Sequence, residues 1–266
     1  MPTLCTMLPS ADEILERAHV VALPMAVKFR GVTTREALLI DGPAGWGEFS
    51  PFTEYGPQES AAWLASGIEA AFTGLPEAHG EVEVNGTIPA VEAAEKLGEL
   101  EYIEQPCATV EELAEVRRRT STPIAADESI RRAADPYRVA ELGAADVAVC
   151  KVAPLGGVDK LLRIARDLNL DVTVASALDT AVGMDAGLVA AKLTGSRAAG
   201  LATQRLFVED VAAPRELANG RLEITRTTPD PDRLHGLRAP AKRRDWWFDR
   251  VRACVEVLSV DPQFRV

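Results

Sequence analysis

The sequence predicts an α/β fold, in which repeated strand–helix units form a parallel barrel preceded by a smaller α+β unit. From about residue 81, short apolar runs alternate with amphipathic segments, as expected for strands that helices bury on both faces. A polar residue closes successive runs at intervals of about 23 to 27 residues, roughly one strand–helix unit each. The preceding residues follow another pattern, with strands followed by a helix.

The α+β unit is predicted to span residues 1–80. "REALLI" and "AGWGEFSP" have strand character, and a Gly/Pro turn joins them. "GPQESAAWLASGIEAAFTG" predicts a helix, because Pro57 suits its first turn, apolar residues recur at helical spacing and Gly74 ends it. Strands followed by a helix indicate an α+β arrangement.

The barrel is predicted to span residues 81–218. Its apolar runs are "VEVNGTI", "LEYIEQP", "PIAADES", "ADVAVCKV", "DVTVASAL" and "AAGLATQ". An open doubly wound sheet is the structural alternative, but it would concentrate its polar groups at one switch point. Here every run ends in a polar group, which favours a barrel whose functional groups lie at the carboxyl ends of the strands.

The tail, residues 219–266, leaves this pattern. "GRLEITRTTPDPDRL" predicts a strand and a loop, and "RRDWWFDRVRACVEVL" predicts an amphipathic helix that packs back on the first unit. The basic run "AKRRDWWFDR" is predicted to be a solvated helix face.

Composition argues against some classes of function. The chain is 47% hydrophobic and 26% charged, with a formal net charge of -11. Binding to nucleic acids or anionic membranes relies on clustered Lys and Arg, so neither partner is expected. No apolar run approaches the length of a membrane span, and the first residues do not resemble an export signal. We therefore expect a cytoplasmic protein with a small-molecule partner.

Three strand ends carry groups that suit one reaction centre. Glu104 and Asp127 offer hard oxygen ligands, which Mg²⁺ prefers. Lys151 offers a cation that could act as a base or stabilise an anion. Each residue alone could be an ordinary surface group. Three of them at equivalent positions, each at the end of a successive strand, predict a shared site.

The ordered motifs "YIEQP", "PIAADES", "VCKVAPLGG" and "VASALDTAVG" resemble the muconate-lactonizing subgroup of the enolase superfamily. The resemblance covers most of residues 20–210 and implies a (β/α)₇β barrel of the TIM type with an α+β capping domain. The segment "FRGVTTREALLIDGPAGWGEFSPFTEYGPQE" is similar to the o-succinylbenzoate synthases, particularly the actinobacterial kind. In that family, Glu104 and Asp127 match two of three Mg²⁺ ligands, and Lys151 matches the lysine of the sixth strand.

The resemblance also implies substrate contacts. Ser176 and Gly200 fall where the seventh and eighth strands contact substrate, and Phe29, Arg30 and Gly31 fall in a capping loop that closes the site. The plain alternatives are a strand hydroxyl for Ser176, a packing residue for Gly200 and a surface cation for Arg30.

The family's reaction begins with proton abstraction next to a carboxylate, and metal and cations hold the resulting enediolate. In the synthase, which belongs to menaquinone synthesis, 2-succinyl-6-hydroxy-2,4-cyclohexadiene-1-carboxylate then loses its β-hydroxyl to give o-succinylbenzoate. A lysine of the second strand does the acid–base work, and the lysine of the sixth strand stabilises the anion.

The sequence departs from the family at the second and third strands. It contains no Lys-x-Lys pair and no Asp-x-Asn motif for the third metal ligand. Six strands can be counted where eight are expected, and two strand–helix units would be ~60 residues. The sequence as read omits a stretch, or the protein carries a deletion, or its barrel is smaller. We favour the first, which predicts a jump in Cα spacing between about Ile88 and Leu97.

Two other functions stay open. An N-succinylamino acid racemase or dipeptide epimerase of the same subgroup needs a lysine on each face of its substrate. A catalytically inactive binding protein is the third possibility, because the Lys-x-Lys base is missing. The FRG-containing loop favours the synthase.

Overall fold

The structure is a computed structural model of the 266-residue chain and describes residues 8–29, 31–86, 100–131, 135–168 and 170–261. The strands are β1 (Ala18–Phe29), β2 (Val32–Gly42), β3 (Gly45–Phe49), β4 (Glu81–Glu83), β5 (Ile103–Glu104), β6 (Ile124–Ala126), β7 (Val147–Cys150), β8 (Asp171–Val174) and β9 (Arg221–Glu223). The helices are α1 (Ala11–Leu15), α2 (Pro57–Ile68), α3 (Val110–Arg119), α4 (Asp135–Glu141), α5 (Val152–Leu155), α6 (Val158–Asp167), α7 (Gly183–Thr194), α8 (Pro231–Gly236) and α9 (Ala241–Val260).

The first unit is an antiparallel sheet in the order β1-β2-β3, followed by α2. The two predicted strands correspond to β2 and β3, and the predicted helix corresponds to α2 with a π-helical turn, Glu69–Thr73, at its end. The sequence analysis missed β1, whose register with β2 shifts between Pro24 and Phe29. Proline interrupts the regular alternation that identifies a strand.

The second unit is a parallel sheet in the order β5-β6-β7-β8 with helices in the connections. Isolated parallel bridges extend it from Ala175 to Gly200 and from Ala199 to Val84. The predicted parallel strands at β5 to β8 are confirmed, although each is shorter than its apolar run. The first predicted run, "VEVNGTI", makes one parallel bridge, at Val84, and its last two residues lie outside the described residues. The predicted last strand, 199–203, was wrong, because only these bridges form and a 3₁₀ helix, Thr203–Leu206, begins at its end.

In the described part of the chain, β5 forms an open edge of the parallel sheet, because it pairs with β6 alone. Within residues 81–86 and 100–104, no backbone pairing joins the first barrel strand to β5, and a side-chain bond from Asn85 Nδ2 to Tyr102 Oη, 3.2 Å long, spans the space. The predicted test of Cα spacing falls on residues 87–99, which lie outside the described residues.

The tail connects to both units. Strand β9 pairs antiparallel with β4, and α9 packs on α1 and α2 with Trp247 fully buried. The prediction of a solvated basic face was wrong at Arg250, which is 8% exposed and donates to the carbonyls of Pro51 and Phe52 at 3.1 and 2.7 Å. The boundaries at residues 80 and 218 stay predictions. No helix in the described part of the chain is long and apolar enough to cross a membrane.

Candidate active site

A cavity of about 690 Å³ lies between the first unit and the carboxyl ends of the parallel strands. Ligand pockets typically have volumes of about 300–1,000 Å³. Glu104, Asp127 and Lys151 all line it. They follow or end β5, β6 and β7, which are neighbouring parallel strands. Because parallel strands present their carboxyl ends at the same edge, the three predicted residues come together.

Gln105 explains how the motif "EQP" aligns these strand ends. Its backbone has φ 41°, a left-handed conformation that is uncommon outside glycine. Its side-chain oxygen accepts from the backbone N–H groups of Asp127 and Ser129 at 3.0 and 3.2 Å. Its amide nitrogen donates to Cys107 O and Ser129 Oγ, both at 2.9 Å. One amide thereby ties the end of β5 to the end of β6 and sets the position of Asp127.

Glu104 and Asp127 face each other within hydrogen-bonding reach. Although Glu104 opens onto the cavity, partial burial and the charge of Asp127 raise its pKa to about 7. Lys151 Nζ donates to Asp127 Oδ1, and its charge opposes this rise. The side chains of Lys151 and Asp127 are 20% and 14% exposed, so this ion pair is only partly screened by solvent. The site therefore holds two acids and one cation, with the acids crowding each other.

This donor set fits part of a Mg²⁺ site. Two facing carboxyl groups supply hard oxygen ligands, and Mg²⁺ commonly binds one or two carboxylates and keeps several waters. A bound dication would offset the burial and the repulsion that raise the pKa of Glu104. Among the described residues, no three His, Cys, Asp or Glu side chains cluster around a common metal position. A third carboxylate ligand of the kind that the family pattern implies is thus not provided by this part of the chain.

The predicted substrate contacts are only partly brought together. Phe29, Ser176 and Gly200 line the cavity. Gly31 is an exposed turn residue between β1 and β2 and is not among the lining residues. Arg30 lies outside the described residues. The roles of all five in substrate binding stay predictions.

The Ser176 hydroxyl is occupied by its own neighbours. It donates to Asp179 Oδ2 at 2.8 Å and accepts from Thr203 Oγ1 at 2.9 Å and from the backbone N–H groups of Leu178 and Asp179 at 3.0 Å. A hydroxyl has one donor and two acceptor lone pairs. Within the protein, this hydroxyl therefore shapes the loop after β8, and its predicted contact with substrate stays a prediction.

Several cavity residues were not predicted. Phe52, Tyr55 and Trp63 contribute an aromatic wall from the first unit, and Arg131 follows β6. They lie in loops and on a helix whose orientation toward the barrel only tertiary packing determines. Tyr102 was also missed, although a signal existed, because residues two apart on a strand share a face and Glu104 is its neighbour on that face.

Two glutamates of the first unit bind helix N-termini of the second. Glu69 accepts from Val158 N and Asp159 N, at 2.6 and 2.8 Å, at the start of α6. Glu48 accepts from Thr180 N and Gly183 N, at 3.1 and 3.0 Å, at the start of α7. A carboxylate at a helix N-terminus satisfies unpaired N–H groups and interacts favourably with the helix dipole. These contacts hold the aromatic wall over the strand ends.

Glycines in the second unit allow Glu69 and Glu48 to approach the two helix N-termini closely. A Cβ at Gly157 would lie 2.4 Å from Glu69 Oε2, and one at Gly183 would lie 2.7 Å from Glu48 Oε2. Gly157 also has φ 121°, which side chains rarely adopt. The "LGG" and "AVG" glycines of the sequence therefore serve the interface between the two units.

Arg35 completes this interface. It is buried, donates to the carbonyl of Leu178 at 3.0 Å and to Ser50 Oγ at 3.2 Å, and lies 4.5 Å from the centre of the Phe52 ring. Burial and the charge of Asp179 raise the pKa of Glu48 to about 7, and Arg35 opposes this. The interface thus contains a second acid pair with its own cation.

The comparisons show that the chain belongs to the enolase superfamily, as its fold indicates. A family model described as enolase N-terminal domain-like matches residues 20–71, and one described as enolase C-terminal domain-like matches residues 66–232. Muconate lactonizing enzyme from Pseudomonas putida has a similar structure, with a TM-score of 0.66 and 18% identity over 84% of this chain and 98% of that chain. An N-succinyl Arg/Lys racemase from Bacillus cereus has a TM-score of 0.67 and 13% identity, over 84% of this chain and 97% of that chain.

Closer relatives narrow the class. A protein of Mycolicibacterium smegmatis named o-succinylbenzoate synthase is 47% identical over 92% of this chain and 97% of its own length. One of Mycobacterium leprae with the same name is 45% identical, over 95% of each chain. The chain belongs to the o-succinylbenzoate synthase family of the enolase superfamily.

The same alignments locate a difference in length. The alignment with the M. smegmatis protein extends over 312 residues, although this chain has only 266 in total. The relative therefore contains a stretch without counterpart here, which agrees with the two strand–helix units that the sequence analysis found missing.

Proposed function

We propose that the protein provides an o-succinylbenzoate synthase site, which binds a small carboxylate substrate and stabilises the negative charge that develops beside that carboxylate. The convergence of Glu104, Asp127 and Lys151 in one cavity carries this proposal. The names of relatives that are 45–47% identical support the substrate class. The corresponding dehydration removes a proton from the carbon that bears the ring carboxylate, and the neighbouring hydroxyl leaves as water.

Lys151 is the residue that stabilises the anion. Its ammonium group is held at the strand ends by Asp127, so its orientation is set before substrate arrives. A preoriented charge in a partly buried site stabilises a developing anion more strongly than water does. The aromatic wall of Phe52, Tyr55 and Trp63 reduces the access of water to that position.

Glu104 and Asp127 are the residues that would hold Mg²⁺. When bound, the ion supplies positive charge that stabilises the ionised form of the substrate next to its carboxylate. The proposal of Mg²⁺ is supported by the facing carboxyl groups and by their mutual repulsion. The Gln105 side chain accepts from the backbone N–H of Asp127 and so positions this ligand.

The absence of the Lys-x-Lys pair favours a second candidate, a chain that binds the ligand without turning it over. Of the six lysines in the sequence, Lys151 is the one that lines the cavity in the described part of the chain, and it pairs with Asp127. We therefore expect the 266-residue chain to bind o-succinylbenzoate in the presence of Mg²⁺ and to show no measurable dehydration.

The experiment compares this chain with a chimera. In the chimera, the stretch of the M. smegmatis relative that lacks a counterpart is inserted within residues 87–99, where the sequence analysis places the missing units. Binding of o-succinylbenzoate is measured by calorimetry with and without Mg²⁺, and dehydration is followed by absorbance. We expect binding by both proteins and turnover by the chimera alone.

A Lys151→Met substitution in the chimera is the matched control and should abolish turnover. Turnover by the 266-residue chain itself would mean that another group acts as the base. Failure of the unmodified chain to bind o-succinylbenzoate would reject the proposed site.

A further inference from the structure

The outer wall of the cavity contains a cation that the proposed mechanism does not use. Arg131 lines the cavity and donates from Nη1 to Tyr55 Oη at 2.9 Å. Tyr55 belongs to the first unit and Arg131 to the loop after β6, so this bond joins the two units across the cavity. Tyr55 also lines the cavity. The bond therefore orients the guanidinium at the ligand-facing surface.

The guanidinium retains capacity for a ligand. Its other described side-chain bond runs from Nη2 to Glu128 Oε1 at 3.3 Å, and its backbone N–H donates to Asp135 Oδ2 at 3.2 Å. A guanidinium has five N–H donors in a fork that matches a carboxylate. The Arg131 and Glu128 side chains are 32% and 45% exposed, and ion pairs that are this open to solvent contribute little to stability. A ligand carboxylate can therefore compete for Arg131.

The other polar groups of the cavity leave this role open. Lys151 lies at the strand ends beside Asp127, where it serves the first carboxylate, and the Ser176 hydroxyl is saturated by protein partners. Gly200 has no side chain to donate. Two of the described residues that line the cavity are cations, namely Lys151 and Arg131. A ligand with two carboxylates would need one cation for each.

We propose that Arg131, oriented by Tyr55, forms the subsite for the second carboxylate of a dicarboxylate ligand, while the first lies at Lys151 and the facing acids. This rests on the proposed function, because o-succinylbenzoate and its precursor each carry a succinyl carboxylate besides the ring carboxylate. N-succinyl amino acids carry the same group. The subsite at Arg131 therefore recognises the succinyl carboxylate. The residues at the strand ends contact the rest of the ligand, which is a benzoate ring in one case and an amino acid in the other.

The test measures the affinity of the 266-residue chain, in Mg²⁺ buffer, for o-succinylbenzoate and for 2-butanoylbenzoate, in which a methyl group replaces the succinyl carboxylate. Arg131→Met should weaken binding of o-succinylbenzoate at least 10-fold and leave binding of 2-butanoylbenzoate within 2-fold. Arg131→Lys should recover only part of the loss, because it keeps the charge without the fork. Tyr55→Phe should weaken o-succinylbenzoate binding by a smaller factor.

Arg138→Met is the matched control. Arg138 also pairs with a glutamate, Glu111, but it does not line the cavity. It should change neither affinity, and denaturation curves check that each variant is folded. Equal weakening of both ligands by Arg131→Met, or no weakening of either, overturns the subsite and leaves the proposed function standing.

A third ligand separates the two proposals. If the unmodified chain binds N-succinylphenylalanine but not o-succinylbenzoate, the proposed function fails, and the same Arg131→Met comparison on that ligand against N-butanoylphenylalanine decides the subsite. If the unmodified chain binds none of these dicarboxylates, both proposals are overturned.

Discussion

The molecule contains two pairs of acids with nearly the same electrostatic signature and different surroundings. Glu48 beside Asp179, at the interface of the two units, and Glu104 beside Asp127, in the cavity, each have a glutamate pKa raised to about 7 by burial and by the neighbouring aspartate. A cation accompanies each pair, Arg35 in the first and Lys151 in the second.

The pairs differ in how their hydrogen bonds are satisfied. Glu48 accepts from Ser50 Oγ at 2.5 Å, from Thr180 Oγ1 at 2.6 Å and from the N–H groups at the start of α7. Glu104 instead opens onto the cavity. A perturbed pKa therefore indicates crowded charge but does not by itself indicate a functional site. The pair that opens onto the cavity is the one that can take a ligand.

The largest expected effect is on the cations of the two pairs. Arg35→Met should lower the free energy of unfolding by about 3–5 kcal/mol, because it leaves buried acids without their partner. Lys151→Met should lower it by about 1–2 kcal/mol, between the values for exposed and buried ion pairs, because the acids it leaves line an open cavity. Urea denaturation of both variants measures the difference. Equal losses would contradict the distinction between the two pairs.

The next effect concerns the close approach at Gly157. Gly157→Ala should destabilise by about 3 kcal/mol, because the new Cβ meets Glu69 and the backbone has positive φ. Gly195→Ala is the control, since its φ is also positive, 64°, and a Cβ there meets nothing within 4 Å. That variant should lose about 1 kcal/mol. A similar loss in both would remove the packing argument for Gly157.

A smaller effect is expected from the amide that links β5 to β6. Gln105→Ala should destabilise by about 2 kcal/mol through its lost hydrogen bonds, and it should also weaken o-succinylbenzoate binding because Asp127 is no longer held. Thr109→Ala removes the N-cap of α3 far from the cavity and should cost about 1 kcal/mol without changing affinity. Unchanged affinity in Gln105→Ala would show that Asp127 is positioned by other contacts.

The smallest effect is a change in the pH dependence of stability. The pKa of Glu48 is about 7 in the folded chain and 4.5 in its unperturbed state. The folded chain therefore binds more protons between these values, so this group lowers stability as pH rises from 4.5 to 7. Glu48→Gln should make the curve of unfolding free energy against pH flatter in that window. Glu77→Gln, at an exposed position, should leave the slope unchanged.

Much of the barrel was predictable because its signals are local. The apolar runs identify β5 to β8, and the segments between them identify α3, α4, α6 and α7, whereas the four-residue helix α5 was not predicted. The signal is strongest at β6 and β7, which are buried along their whole length. Strand β1 was missed because Pro24 interrupts its pattern, and the run at 199–203 was overpredicted because only two residues pair. Arg250 was misread as solvated because charge alone does not reveal that aromatic rings and loop carbonyls surround it.

The sequence by itself determined the three strand-end groups, Glu104, Asp127 and Lys151, because parallel strands place equivalent positions at one edge and the order of motifs preserves that phase. Only the tertiary structure decided which acids are satisfied and which remain open. Glu48 and Glu69 lie far along the chain from the helices they cap, and Tyr55 lies 76 residues from Arg131. Contacts between distant segments depend on how the two units dock, which no local pattern records.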